Sequence, residues 1–328
     1  KVIASEHPEY YGGIIDLDNA KDITEAETII SVINNFPKED YLALRHNEIY
    51  LPRLKQFKTI KNKALNINSD AYYLITGGLG ALGLQVSKLL VDKGAKHLLL
   101  IGRSQPSVEV REQIEQLEAT GAIIEVIQGD ISNFETVENI ISSLAPQSHN
   151  LKGIIHAAGT LDDGLLQNQT WEKFQKVLKP KLVGAWNLHQ CTKNIDLDFF
   201  VLFSSIASTL GSPGQGNYAA ANASLDAIAL YRQSLGLPAI SINWGAWNSG
   251  GMAVNKGFKR QGIELIDPEQ GIESLEKLLT SDISQVGVFS VDWNQLSKQF
   301  PYISQANYFS ELLTETQTAV TKNDKYVY

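Results

Sequence analysis

The sequence predicts an α/β protein whose main body is a doubly wound parallel sheet, with a smaller α/β unit ahead of it. Three observations carry this expectation. From Ala71 onward, seven short runs of β-type residues alternate with stretches of helical period, which is the pattern of a parallel sheet with helices on both faces. The first run, Tyr72–Thr76, passes straight into glycines and then into an amphipathic pattern, so it reads as a strand, a tight turn and a helix start. Residues with chemical character collect just after the runs, and such sheets bind ligands at the carboxyl ends of their strands.

Residues 1–68 read as a helix end, a strand over residues 13–17, a helix over 24–34 and a second strand near Tyr50. No glycine-rich turn and no acid/base cluster follows these strands, so this unit is expected to be structural. The 58–69 stretch has no clear period and is the expected linker. In the main body, residues 69–315, Gly78, Gly80 and Gly83 fit G-x-G-x-x-G. Glycines there permit the turn, let the backbone approach a pyrophosphate at the helix N-terminus, and allow close helix–strand packing. An ordinary glycine-rich turn has the same appearance. The second strand, 97–101, leads to Arg103, twenty residues past Gly83, where an acidic side chain would hold a ribose 2′-hydroxyl. Arginine suits a 2′-phosphate instead, which points to NADPH, the alternative being a surface arginine. After the third strand, 123–128, Asp130 is either an acceptor for an adenine amino group or a turn cap. The fourth strand, 153–156, precedes Ala157-Ala158-Gly159, and the fifth, 199–203, precedes Ser204-Ser205. Tyr218 and Asn222 come after three glycines, and strands over 239–244 and 287–291 complete the sheet. Residues 250–266 lack steady periodicity and are expected to form a mobile lid. Residues 268–279 read as a closing helix, 300–313 as a packing segment and 316–328 as a polar linker.

A net charge of -8 and a pI near 5.3 lack the basic footprint that a nucleic-acid partner requires. The single cysteine, Cys191, makes no internal disulfide, and no His/Cys cluster has metal-ligand spacing. No apolar run reaches the length of about 18 residues needed to span a membrane, and the start has no signal-peptide form, so a cytoplasmic protein is expected. Beginning at Lys1, the chain is expected to be a piece of something longer.

Tyr218, with a serine upstream and Asn222 four residues on, resembles the short-chain dehydrogenase/reductase superfamily, with asparagine standing where that pattern has lysine. The ketoreductase domains of modular polyketide synthases, similar to those of animal fatty acid synthase, exchange these two positions and take the lysine from the preceding helix. Residues 178–189, with Lys181 at that position, look like the helix in question. Further ordered matches are Glu6-His7-Pro8 with Gly12-Gly13-Ile14-Ile15-Asp16-Leu17, Leu51-Pro52-Arg53-Leu54, Thr76 to Gly83, Gly102-Arg103-Ser104, His156 to Gly159, Phe203 to Ser205, Asn243-Trp244-Gly245 and Gly251-Met252-Ala253. The resemblance implies a Rossmann-type catalytic subdomain behind the last part of a truncated-Rossmann structural subdomain. It also implies NADPH as cofactor, and a β-ketoacyl thioester on the phosphopantetheine of an acyl carrier protein as substrate, beside neighbouring synthase domains. By the same resemblance Tyr218 is the acid, Ser205 holds the carbonyl oxygen, and Lys181 lowers the tyrosine pKa with Asn222 in the vacated place. Ser204 and Lys179 are the competing residues. The cofactor would lie along Gly77, Gly78, Leu79, Gly80, Leu82, Gly83, Arg103, Ser104, Asp130, Ile131, Ala157, Ala158 and Gly159. Leu161-Asp162-Asp163 resembles the B-type signature for the 3R alcohol. Pro213 and Asn217, a leucine instead of tryptophan at Leu210, and Met252 complete the expected substrate and stereocontrol set. The rival readings are a non-catalytic nucleotide-binding scaffold and a free-standing carbonyl reductase.

Overall fold

The computed structural model describes residues 1–18, 24–35, 39–46, 48–57, 64–144, 151–248 and 262–315. A short helix, Val2–Glu6 (α1), comes first. Ile14–Asp16 (β1), Thr24–Asn35 (α2), Tyr41–Arg45 (β2) and Glu48–Tyr50 (β3) follow and form the small unit. Its sheet has the order β1-β2-β3, with β1 parallel to β2 and β3 antiparallel to it. The second strand expected near Tyr50 is thus the return strand of a hairpin whose first strand, β2, went unread. Leu42 and Leu44 alternate with more exposed neighbours and pack under Val32 of α2, a period-two signal only five residues long.

The main body runs Tyr72–Thr76 (β4), Ala81–Asp92 (α3), His97–Gly102 (β5), Val108–Glu118 (α4), Ile123–Gln128 (β6), Phe134–Leu144 (α5) and Leu151–His156 (β7). It continues through Trp171–Leu178 (α6), Gly184–Thr192 (α7), Phe199–Ser205 (β8), Ile206–Leu210 (α8), Gly216–Ser234 (α9) and Ile240–Trp244 (β9). The last elements are Ile263–Glu264 (β10), Pro268–Leu278 (α10), Gln285–Val288 (β11), Ser290–Val291 (β12), Trp293–Gln299 (α11), Pro301–Gln305 (α12) and Ser310–Glu315 (α13). Seven parallel strands lie in the order β11-β9-β8-β7-β4-β5-β6. Alternate residues of these strands feed two cores. Tyr73, Ile75, Leu100 and Phe203 pack with α3 and α10, while Leu74, Ile101, Ile154 and Phe200 pack with α5, α7 and α9. Burial on both faces explains the continuous apolar runs of this parallel sheet. This is the Rossmann-like α/β fold that the strand–helix alternation predicts.

The topology fixes where a ligand can sit. The chain winds outward in opposite directions from β4, to β5 on one side and to β7 on the other, so a crevice opens between the carboxyl ends of β4 and β7. One sequence expectation fails at the far edge. The seventh strand, read as residues 287–291, breaks at Phe289: Gln285–Val288 joins the main sheet, while Ser290–Val291 pairs antiparallel with Ile263–Glu264. Phe289 is fully buried against Trp293 in a separate C-terminal cluster, which pulls the chain out of the sheet. Most of the expected lid, and all of the 316–328 linker, lies outside the described residues. Among those described, no helix is long and apolar enough to cross a membrane.

Candidate active site

At the switch-point crevice, Gly77 takes a left-handed conformation, with φ 68°. Its amide donates to the Ile101 carbonyl at 2.9 Å, tying the end of β4 to β5. A Cβ at Gly77 would come within 2.9 Å of the Ala158 amide nitrogen, so the turns after β4 and β7 are in contact. At Gly83 a Cβ would fall on the Gly77 oxygen and Gly78 Cα, both backbone atoms, so only glycine lets α3 start against the turn. Gly80 caps that helix, leaving its first amides directed at the crevice. Leu79 and Leu82 anchor the turn in the core, and Ile131 is buried against α7, its carbonyl accepting from Asn187 Nδ2 at 3.0 Å. Arg103 and Ser104 stand exposed at the end of β5. Asp130 is exposed and its Oδ1 accepts from the Ser132 amide at 2.9 Å, so it does act as a turn cap. Ala157, Ala158 and Gly159 leave β7 partly exposed along the same crevice.

Three elements bring the reactive residues together. Ser205 ends β8 and caps α8, its Oγ accepting from the Ala207 amide at 3.2 Å and keeping its own proton to donate. Tyr218 and Asn222 lie one turn apart on α9. Lys181 arrives on a π-helical turn, Lys179–Val183, between α6 and α7. Pro180 explains that turn: it has no amide to donate, and its ring crowds the carbonyl four residues back, so the helix widens locally. Lys181 is buried, its Nζ donating to the Phe203 carbonyl at 2.9 Å and lying 5.5 Å from the centre of the Tyr218 ring. Lys179, by contrast, is exposed. Ser204 donates to the Asn222 carbonyl at 3.1 Å, while Ser205 reaches the Tyr218 hydroxyl. Lys181 and Ser205 thus approach Tyr218, whereas Lys179 is exposed and Ser204 bonds to the Asn222 carbonyl.

The environments of these groups differ in consequential ways. Burial lowers the Lys181 pKa from 10.5 to about 8, with the Asp226 charge opposing the drop. Burial raises the Tyr218 phenol, and hydrogen bonds from Ser205 and Asn222 pull it back. His156, fully buried, is driven down to about 3 by burial and then by the Lys181 charge. It is therefore neutral. Its Nε2 lies 3.2 Å from the Lys181 carbonyl, which can only accept, so Nε2 carries the proton and Nδ1 accepts from the Thr76 hydroxyl at 2.7 Å. Thr76 and His156 are register partners on β4 and β7, so this chain of bonds joins the glycine turn to the lysine's π-turn.

Sequence reasoning missed a layer of polar groups beneath the site. Asp226, 7% exposed, accepts from Ser208 Oγ (2.8 Å), Ser241 Oγ (2.6 Å) and Asn243 Nδ2 (3.0 Å). Asn243 also reaches Ser204 Oγ at 3.0 Å, and Asn222 Nδ2 donates to the Tyr218 carbonyl at 2.8 Å. Tyr218, Asn222 and Asp226 recur every four residues on an alanine-rich helix. That polar stripe on a buried helix face was the available signal.

The expected stereocontrol residues fall into two joined loops, the first turn of α9 and one outlier. Asn217, fully buried, donates through Nδ2 to the Asp162 carbonyl at 2.7 Å and accepts the Tyr218 amide at 2.7 Å. Gln215 Nε2 reaches Asp163 Oδ2 at 3.3 Å, and the Gly164 amide donates to the Gly214 carbonyl at 2.7 Å. Leu161, Asp163 and Pro213 are partly exposed beside these contacts, and Asp162 pairs with Lys176 at 2.9 Å. Leu210 is the outlier: its side chain is buried in the C-terminal cluster. Met252 lies outside the described residues. No group of His, Cys, Asp and Glu able to hold a metal occurs among those described.

The KR domain family matches residues 71–249, more than half of the chain. A phenolphthiocerol/phthiocerol polyketide synthase of Mycobacterium tuberculosis is 42% identical over 246 residues, which are 75% of this chain and 11% of that protein. Polyketide synthase GfsB of Streptomyces halstedii is 33% identical over 322 residues, 94% of this chain and 6% of that protein. The chain thus spans a small part of the curated relatives it matches. Among solved structures, an A-type ketoreductase from a modular polyketide synthase superposes with a TM-score of 0.88 at 32% identity, covering 95% of this chain and 68% of that one. The first ketoreductase of the tylosin synthase gives 0.84 at 32% identity, with coverages of 97% and 70%. The chain belongs to the KR domain family, the ketoreductase domains of modular polyketide synthases.

Proposed function

We propose that this domain reduces the β-keto group of a β-ketoacyl thioester, carried on the phosphopantetheine of an acyl carrier protein, to the (3R)-β-hydroxyacyl thioester. It uses NADPH and works beside other domains of a cytoplasmic polyketide synthase. The observation that carries this reading is the buried Lys181 ammonium held 5.5 Å from the Tyr218 ring, with Ser205 at the phenol. A dinucleotide fits the residues present: a Cβ at Gly83 would meet the Gly77 oxygen and Gly78 Cα, so glycine alone keeps the turn tight under the start of α3, where a pyrophosphate would sit, and Arg103 offers an exposed guanidinium for a 2′-phosphate. When bound, the nicotinamide supplies the hydride. Ser205 Oγ donates to the ketone oxygen and holds it against Tyr218. Burial keeps the phenol protonated at neutral pH, so Tyr218 delivers its proton to the developing alkoxide. Lys181, charged below about pH 8, stabilises the phenolate left behind.

Reduction of a carrier-bound β-ketoacyl thioester with NADPH and with NADH, followed by chiral chromatography, tests all parts. The expected result is mainly 3R alcohol and a preference for NADPH. Arg103→Ala is expected to erase about tenfold to a hundredfold of that preference, the worth of a charge-assisted contact. Equal use of both nucleotides by the wild type would overturn the cofactor assignment, and mainly 3S alcohol the stereochemical one.

A further inference from the structure

Glu6, at the end of α1, lies far in sequence from Ser205 and Tyr218 yet bonds two loops that follow β7 and α8. Its Oε1 accepts from the Gly214 amide at 2.7 Å, and its Oε2 accepts from the Leu166 amide at 2.7 Å. These amides belong to the two loops that carry Asp163 and Pro213. The Leu166 amide opens a 3₁₀ turn, Leu166–Asn168, and so lacks a partner within it. Gly214 sits in a left-handed turn with φ 79°. One carboxylate therefore bridges both loops, which Gln215 and Asp163 also join. The carboxylate is itself held in place, because Val2 and Ala4 of the same short helix are buried and Val2 packs on Ala207 and Ala219.

We propose that Glu6 is a positioning residue that fixes the spacing of the 161–169 and 211–215 loops and so sets the side from which the thioester enters. The inference rests on the ketoreductase reading of the same site. With the ketone oxygen held between Ser205 and Tyr218, exchanging the thioester arm and acyl chain about the carbonyl inverts the alcohol. Loops free to part admit both arrangements. A glutamine at this position accepts from one amide only and turns its own NH₂ toward the other, and an alanine releases both.

The test is the ratio of the two β-hydroxy enantiomers formed from a short β-ketoacyl pantetheine thioester by wild type, Glu6→Gln and Glu6→Ala. Amide hydrogen exchange across both loops is measured alongside. Glu6→Gln is expected to lower the ratio by about tenfold, as for loss of one hydrogen bond to a charged group. Glu6→Ala lowers it further, the KM for NADPH stays near the wild-type value, and exchange speeds up across both loops. Because the ratio is internal to each sample, a variant that is merely less folded turns over less but keeps the wild-type ratio. That result, or unchanged loop exchange, would overturn the proposal. A wild type that forms mainly 3S alcohol would defeat the stereochemical reading while the fall in ratio still establishes the clamp. A wild type without turnover defeats the ketoreductase reading, and loop exchange alone then decides the clamp.

Discussion

Lys181 shows, at the scale of one residue, what burying an ammonium costs this fold. Its pKa falls from 10.5 to about 8 because the buried ammonium has lost water, so the folded state holds the proton less tightly than the unfolded chain. The penalty is fully present below about pH 8, and between about 8 and 10.5 stability rises with pH as the group discharges. At about 1.4 kcal/mol per pKa unit, the strain is on the order of 3 kcal/mol. Lys181→Met is therefore expected to raise Tm by a few degrees at pH 7, measured by calorimetry, while lowering kcat by about a hundredfold or more. A variant with lower Tm would show the ammonium to be a net stabiliser. Wild-type reduction is also expected to weaken as pH rises through about 8, where Lys181 loses its charge; a flat profile through that range would remove the lysine from the mechanism. Ser205 and Tyr218 were marked by the resemblance of their spacing to the short-chain dehydrogenase/reductase pattern. Lys181 needed the family resemblance, because a proline-induced π-turn aims it and periodicity does not reveal such a turn.

At the scale of elements, the turn between β4 and α3 is the least forgiving part of the fold. A Cβ at Gly83 would meet backbone at Gly77 and Gly78, and neither can move without opening the turn that contacts Ala158. Gly83→Ala is expected to raise the KM for NADPH at least about tenfold and to lower Tm, in line with overpacking at a rigid contact. Unchanged cofactor affinity would move the nucleotide away from this turn. Strands covered on both faces, such as β4 and β8, were legible because their continuous apolar runs end at glycine or serine. β2, as long as β4, was missed because only alternate residues of it are buried, and the last strand was overextended because Phe289 packs outside the sheet. The polar ladder of Asp226, Asn243 and Ser204 was hidden for another reason, since its members come from three separate elements that only the folded sheet brings together.

At the scale of the whole molecule, the winding reversal at β4 places the glycine turn, the β7 turn and the end of β8 on one rim, and α9 lays Tyr218 across it. The small N-terminal unit is tied to the C-terminal helices: Glu39, paired with Arg53 at 2.6 Å, also accepts from Asn307 at 2.8 Å, and the Leu54 amide donates to the Tyr308 carbonyl at 2.9 Å. The last two contacts join residues about 250 positions apart, beyond the reach of any local pattern, which is why the sequence marked the crevice but not the walls that α1 and the C-terminal cluster build around it. In the proposed reaction Tyr218 donates the proton during an NADPH-dependent reduction. The most direct test is the single-turnover rate of NADPH oxidation on a β-ketoacyl pantetheine thioester, for wild type and Tyr218→Phe, with NADPH binding measured in parallel. The expected result is turnover by the wild type, a loss of about a hundredfold or more in Tyr218→Phe, and nearly unchanged NADPH affinity in the variant. NADPH binding without turnover by the wild type, or full turnover by the phenylalanine variant, would contradict it.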